Sequence, residues 1–299
     1  MVGFVVGVAL LGAAVWAVGT QEFAALRSVA AEQFGLVLAL AALAAVNWLL
    51  MSEVFHALMT PYGVVSRREM RALIGASWLL NYLPMRPGLL GRVAYHKAVN
   101  GIAVTDSAKA VAANIGCGLV SLGCGLLAPL AARVWPQDDA AWSVAFSVPL
   151  VGLVACSLSC GAAGLPRARS WAYAALLRYL DLMVWGVRYF VVFMIVGHEL
   201  HPVEAAAIAV VSQVASLVPI VGNGLGIREW AVGLTAAALP VWMRGEGELG
   251  REVGLAADLV NRAAEVAAAV PVGLFAAWWL ARNRSARLPK PETERGPAE

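Results

Sequence analysis

The chain has 299 residues, is 61% hydrophobic and 14% charged, and has a mean hydropathy of +0.74. Soluble domains carry about a quarter charged residues, so this surface cannot be covered with water-binding groups, and a net charge of +3 is too small to argue for a nucleic-acid partner. The composition points to an all-α polytopic membrane protein. Its apolar runs approach the ~20 residues needed to cross ~30 Å of hydrocarbon, and the alternating strands of a β-barrel are absent from the pattern.

Six apolar runs read as spanning helices, at about 2–19, 35–52, 108–131, 141–164, 171–196 and 253–280. The first, MVGFVVGVALLGAAVWAVG, lacks the basic start of a cleaved signal peptide and reads as a retained membrane helix, with Gly3 and Gly7 spaced for a helix contact. The segments between the runs set orientation through their Lys and Arg. VVSRREMR at 64–71, Arg167 and Arg169, and the tail arginines Arg282, Arg284, Arg287 and Arg295 with Lys290 place those segments on the cytoplasmic side. Asp138, Asp139, Glu199 and Glu204 mark the outer side. Six crossings of the cytoplasmic (inner) membrane, with both termini cytoplasmic, satisfy every assignment. One membrane domain is therefore expected over 1–282, followed by a disordered cytoplasmic tail over 283–299 rich in Pro, Glu and Arg. Trp135, Trp142, Trp278 and Trp279 lie near helix ends and read as interfacial anchors. Cys117, Cys124, Cys156 and Cys160 fall in apolar runs without His or carboxylate neighbours. They read as packing residues, not as metal ligands or disulfides.

Two regions, about 72–103 and 204–244, hold apolar runs that are short and broken by Pro and Gly. Each fits a re-entrant helical hairpin. Irregular backbone at that depth must be buried in protein or line a wet cavity, because lipid cannot satisfy its polar groups. The first region reads NYLPMRPGLLGRVAYHK and the second SLVPIVGNGLGIREWAVG. Asn81 matches Ser216, Pro84 matches Pro219 and Gly91 matches Gly226, all at an offset of 135 residues, with Arg92 one position short of matching Arg228. The order helix, helix, broken hairpin, helix occurs twice, about 1–135 and 136–282, entered from opposite sides. That is the inverted-topology repeat of many transporters, whose discontinuous helices meet near the midplane.

The breaks carry chemistry. Pro219 ends one half-helix, Gly222, Gly224 and Gly226 permit unusual backbone angles, and a new half-helix is expected near Ile227. Its N-terminus is an anion site by its free N–H groups and dipole, and Arg228 adds a bidentate donor. Arg92, with Arg86 alongside, offers the same in the first copy. Further ionisable residues lie inside spans. Arg178, Asp181 and Arg188 share a helix face, as a substrate path or as a structural pair. Asp258, Asn261, Arg262 and Glu265 sit early in the last helix, where Arg262 is a substrate ligand or part of an intrahelical salt-bridge ladder. Glu229 pairs with Arg92 or Arg262, or carries a proton. His96 reads as interfacial.

VPIVGNGLGIREW resembles the Pro- and Gly-rich signature ending in Arg–Glu of the transmembrane region of lysylphosphatidylglycerol synthases. NYLPMRPGLLGR resembles the earlier motif of that family, and DLVNRAAE, at 258–265, its late helix with a central Arg. Asn223 departs from the pattern, replacing a small residue at a site that tolerates left-handed backbone. The resemblance implies a stand-alone flippase-like domain without the synthase domain. The expected function is a flippase or scramblase for an anionic or phosphate-bearing membrane lipid, held by Arg92, Arg228 and Arg262 with Arg86, Asn81, Asn223 and Gly226. Glu229, Arg178, Asp181, Arg188, Asp258 and Glu265 would line the path or pair. No catalytic constellation, cofactor motif or metal cluster is legible. Two alternatives stay open: a membrane transferase acting on a lipid-linked phosphate, with Glu229, Asp258 or His96 as base, and a non-catalytic assembly subunit. A homodimer is compatible with the sequence.

Overall fold

The computed structural model describes residues 2–18, 33–83, 87–135, 139–217, 222–243 and 249–284. Pro84, Arg86, Pro219, Asp138 and the segment 285–299 lie outside the described residues. Among the described residues the chain is all helical, without strands.

Eleven α-helices follow in chain order among these residues: α1 (Val2–Val18), α2 (Phe34–Met59), α3 (Arg67–Leu80), α4 (Pro87–Asn100), α5 (Val104–Gly125), α6 (Leu127–Val134), α7 (Asp139–Ala162), α8 (Pro166–Ile195), α9 (Pro202–Ser216), α10 (Ile227–Met243) and α11 (Arg251–Arg284). Four stretches are long and apolar enough to cross a membrane: Phe34–Met59, Val104–Val134, Ala140–Ala162 and Arg251–Asn283. Two of the six expected spans fall outside this set. Helix α1 is apolar but only 17 residues long. Helix α8 has the length, at 30 residues, but carries Arg178, Asp181 and Arg188 in its apolar half.

The polarity is inside out. Val151, Leu158, Leu274, Phe275 and Trp278 are more than half exposed, while Asp181, Arg188, Arg228, Glu229, Asp258 and Glu265 are at most 3% exposed. Water would favour the reverse arrangement; lipid favours this one, since apolar surface costs nothing against hydrocarbon and charge there is expensive. The chain is a helical membrane protein.

Helix α8 runs through the middle and touches α2, α5, α7, α9 and α11. One apolar core surrounds Tyr189, Val192, Phe193 and Ile208, between α8, α9, α10 and α11. A second surrounds Val54, Phe55, Met70, Cys117 and Leu177, between α2, α3, α5 and α8. Cys117 is buried there as a packing residue, and all four cysteines are free thiols.

Both regions expected to be broken hold two short helices that pack on each other, α3 with α4 and α9 with α10. In the first pair the Ser77 hydroxyl donates to the Gly88 carbonyl at 2.9 Å. Asn81 caps the end of α3, and a Cβ at Gly88 would lie 2.6 Å from its Oδ1. In the second, Gly222–Gly224 makes one tight turn in which Asn223 has φ 52° and Gly224 φ +69°, and Gly226 just beyond it has φ +80°. Gly226 also lets α1 approach, because a Cβ there would lie 2.5 Å from the Gly7 carbonyl oxygen.

Candidate functional site

Helix α10 begins at Ile227, so Arg228 and Glu229 occupy its first turn. Next to it runs α11, and the two helices nearly touch: a Cβ at Gly254 would lie 2.8 Å from the Cα of Gly233. This close approach lets side chains of α10 reach those of α11 one to three turns further on.

The ion pairs cross between helices. Arg228 donates from Nε to Asp258 Oδ2 and from Nη1 to Glu265 Oε2, both at 3.0 Å. Arg262 donates to Glu229 through a short contact. The intrahelical ladder that was one of the two readings, Asp258 to Arg262 to Glu265, does not form. The partners on α10 are charged and close, and they take the carboxylates and the guanidinium of α11.

The network continues into α8 and α2. Arg188 donates to Asn261 Oδ1 at 2.7 Å and to Asn47 Oδ1 at 3.1 Å, and lies 3.6 Å from Glu265. Asn47 turns its amide nitrogen to Asp181 Oδ1 at 2.7 Å. Arg178 reaches Asp181 Oδ2 at 2.8 Å. The Tyr189 hydroxyl donates to Asp258 at 2.8 Å. The Trp185 ring lies under Arg188, 4.0 Å from its guanidinium, and 5.4 Å from that of Arg228. Arg178, Asp181 and Arg188 do share one face, but Asp181 and Arg188 meet through Asn47 and not directly.

The end of α3 and the second break meet on the same carboxylate. Trp78, two residues before the end of α3, points its indole N–H at Glu265 Oε1 over 3.5 Å, and Asn223, in the second break, donates to the same oxygen at 3.3 Å. The Asn223 carbonyl also accepts from Arg262 at 3.5 Å. Asn223, held in left-handed backbone, is thus a member of the network through both its amide and its carbonyl.

Arg178, Arg188, Arg228 and Arg262 stand against Asp181, Glu229, Asp258 and Glu265, so the cluster balances four charges of each sign. Balance is what burial requires, since a lone charge is far costlier than a paired one. Three buried polar atoms in the α10–α11 part remain unfilled: Arg228 Nη2, Glu229 Oε2 and Arg262 Nη1. Two guanidinium N–H donors and one carboxylate acceptor therefore remain available to a bound polar group.

The residues expected around Arg92 are placed differently. Helix α4 starts at Pro87, which suits the first helical position, so Arg92 sits in the second turn and not on the N-terminus. Its guanidinium stacks 3.8 Å over the Phe55 ring. It is 9% exposed and has no carboxylate within ion-pair distance among the described residues. No described contact joins it to Arg228, Arg262 or Glu229, so the two facing cradles do not come together as one site. His96, expected at the interface, is buried at 2% exposure and bonds Asn100 at 3.1 Å through its Nδ1. Asn81 caps α3, and Gly226 serves backbone geometry and contact with α1.

Sequence reasoning missed Asn47, Tyr189, Trp185 and Trp78. Asn47 carried a signal, as the lone amide in the apolar run LALAALAAVNWLL. The aromatic partners carried none, because their roles depend on which helices are neighbours.

These features define a polytopic helical membrane protein built around a buried, charge-balanced ion network at two helix breaks. Comparison with protein-family models, with curated proteins and with solved structures returns no match.

Proposed function

We propose that the chain is a lipid transporter that moves a phosphate-bearing lipid across the cytoplasmic membrane, with the headgroup handled by the network around Arg228, Glu229 and Arg262. The observation that carries this reading is the convergence on Glu265 of Trp78, in the last turn of α3 before the first break, and of Asn223, in the second break, beside three buried polar atoms without partners. Intramembrane ionisable groups cost about 2.5–3.5 kcal/mol each on insertion scales and mark substrate or ion paths. The resemblance of VPIVGNGLGIREW to the lysylphosphatidylglycerol synthase membrane region supports the lipid assignment.

The proposal includes six crossings, with α1 and α8 as the fifth and sixth spans, and re-entrant α3–α4 and α9–α10 pairs. The order helix, helix, broken pair, helix recurs, with α2 packed on α8 as the corresponding members of two inverted halves. Because the network is already neutral, an arriving phosphate must displace a carboxylate from an arginine. The Glu229–Arg262 pair is the one to open, since each partner already has one unfilled atom.

The charge balance favours one competing reading, a purely structural lock in an assembly subunit. Purified protein in liposomes with fluorescent phospholipids, quenched from outside by dithionite, separates the two. Transport predicts that wild type exposes the inner-leaflet pool and Arg228→Ala does not. Wild type that moves none of the phospholipids tested overturns the proposal.

A further inference from the structure

A second polar site lies away from the buried network. A cavity of about 590 Å³ opens where the C-terminal half of α2 meets the end of α7 and the start of α8. Glu53, His56, Arg67, Arg169, Ser170 and Tyr173 line it. None of these residues belongs to the network of Arg228 and Glu265.

The charge there is not balanced. Glu53 is the acceptor for both Arg67, at 3.2 Å, and Arg71, at 2.8 Å. Arg169 has no carboxylate partner among the described residues, and its stem lies along Gly161, where a Cβ would meet Arg169 Cδ at 3.3 Å. Two lining arginines, Arg67 and Arg169, thus face one lining carboxylate that Arg71 also holds from outside the cavity. His56 adds a buried Nδ1 without a hydrogen-bond partner. Guanidinium forks of this kind grip phosphate in a bidentate manner.

The walls are mixed. Leu165 lines the cavity and is 52% exposed, and on α7, which contributes Ser157, Cys160 and Gly161 to the wall, Leu158 is 69% exposed. A ligand with a charged end and an apolar body fits such a place. This end of the bundle also carries Arg68 and Arg167, the pattern of cytoplasmic loops, where anionic headgroups concentrate.

We propose that this cavity binds the phosphate headgroup of an anionic phospholipid from the cytoplasmic leaflet, gripped by Arg67 and Arg169, with the acyl chains against α7. The site does not depend on transport through the buried network.

Thermal unfolding of the detergent-purified full chain tests it, titrated with short-chain phosphatidylglycerol, short-chain phosphatidylcholine or inorganic phosphate. Phosphatidylglycerol should raise the unfolding temperature saturably, and phosphatidylcholine and phosphate should not. Arg169→Gln, at an exposed position, should leave the lipid-free unfolding temperature unchanged and weaken the apparent affinity about tenfold, as loss of one charge-assisted hydrogen bond implies. Arg67→Gln should weaken it as well, and Arg169→Lys should lose less than Arg169→Gln. Equal protection by inorganic phosphate overturns the lipid assignment. Protection by phosphatidylglycerol that is the same in wild type and both Gln variants overturns the site.

Discussion

Glu265→Gln tests the charge balance at its centre. The carboxylate is 3% exposed, accepts from Arg228 at 3.0 Å, Asn223 at 3.3 Å and Trp78 at 3.5 Å, and lies 3.6 Å from Arg188. Glutamine keeps the shape and one acceptor oxygen, so the main change is the lost charge. Three buried arginines and the partly buried Arg178 would then face Asp181, Glu229 and Asp258 alone. Hydrogen bonds between membrane helices average about 0.6 kcal/mol, whereas removing one partner of a buried ion pair costs about 3–5 kcal/mol. The charge term dominates, and a loss of about 3 kcal/mol is expected. Pairing the change with Arg228→Gln restores neutrality and should recover most of that loss, a coupling that a double-mutant cycle measures. Unfolding in mixed micelles with increasing denaturing detergent gives the free energies. If Glu265→Gln stays within about 0.5 kcal/mol of wild type, the range of uninvolved surface sites, the carboxylate is not holding buried charge and the reasoning fails.

Other outcomes follow from the same geometry. Asn47→Leu strips the link between Asp181 and Arg188 and should cost about 1–3 kcal/mol for the groups left unsatisfied, read by the same unfolding assay. Gly254→Leu puts a side chain where Gly233 already sits 2.8 Å from the Cβ position; overpacking of about 1–3 kcal/mol should appear as a lower unfolding temperature. Asn223→Val, at φ 52°, should cost at least the ~1–2 kcal/mol of left-handed backbone, whereas Asn223→Gly should lose only the bond to Glu265. Equal effects of Val and Gly would show that backbone angle is not what selects this residue.

The helices were largely legible, because runs of apolar residues near membrane length have few other uses. Boundaries slipped where charge interrupted a run. The second helix was expected to stop at 52, before Glu53 and His56, yet α2 continues to Met59 because Glu53 turns to Arg67 and Arg71. The last helix was expected to end at 280 and runs on to Arg284. The break at 222–226 was legible from its glycines, and the left-handed Asn223 fits the reading of a position that tolerates such backbone. The site was legible in membership and in part of its pairing: Glu229 with Arg262 and Arg178 with Asp181 were among the pairs read from the sequence, and Arg228 with Asp258 and Glu265 was not. Arg228, Glu229, Asp258, Arg262 and Glu265 were all visible as charges in apolar surroundings. The sequence-local rule for helix pairs favoured Asp258 with Arg262, and close packing of α10 on α11 through Gly233 and Gly254 redirected both. Arg92 illustrates the reverse case. Its motif resembles that of Arg228, but Pro87 starts α4 early and leaves the arginine against Phe55.

The central claim is that the network moves headgroups and does not merely lock helices, and the neutral double variant Glu229→Gln with Arg262→Gln tests it most directly. Removing both charges together keeps the balance, so the protein should fold with an unfolding free energy within about 1 kcal/mol of wild type, as exchange of a whole buried pair allows. In liposomes with fluorescent phospholipid, wild type should expose the inner-leaflet pool to dithionite and the folded double variant should leave it protected. A folded double variant that exposes the pool as fast as wild type would contradict the claim and leave the pair as a structural lock.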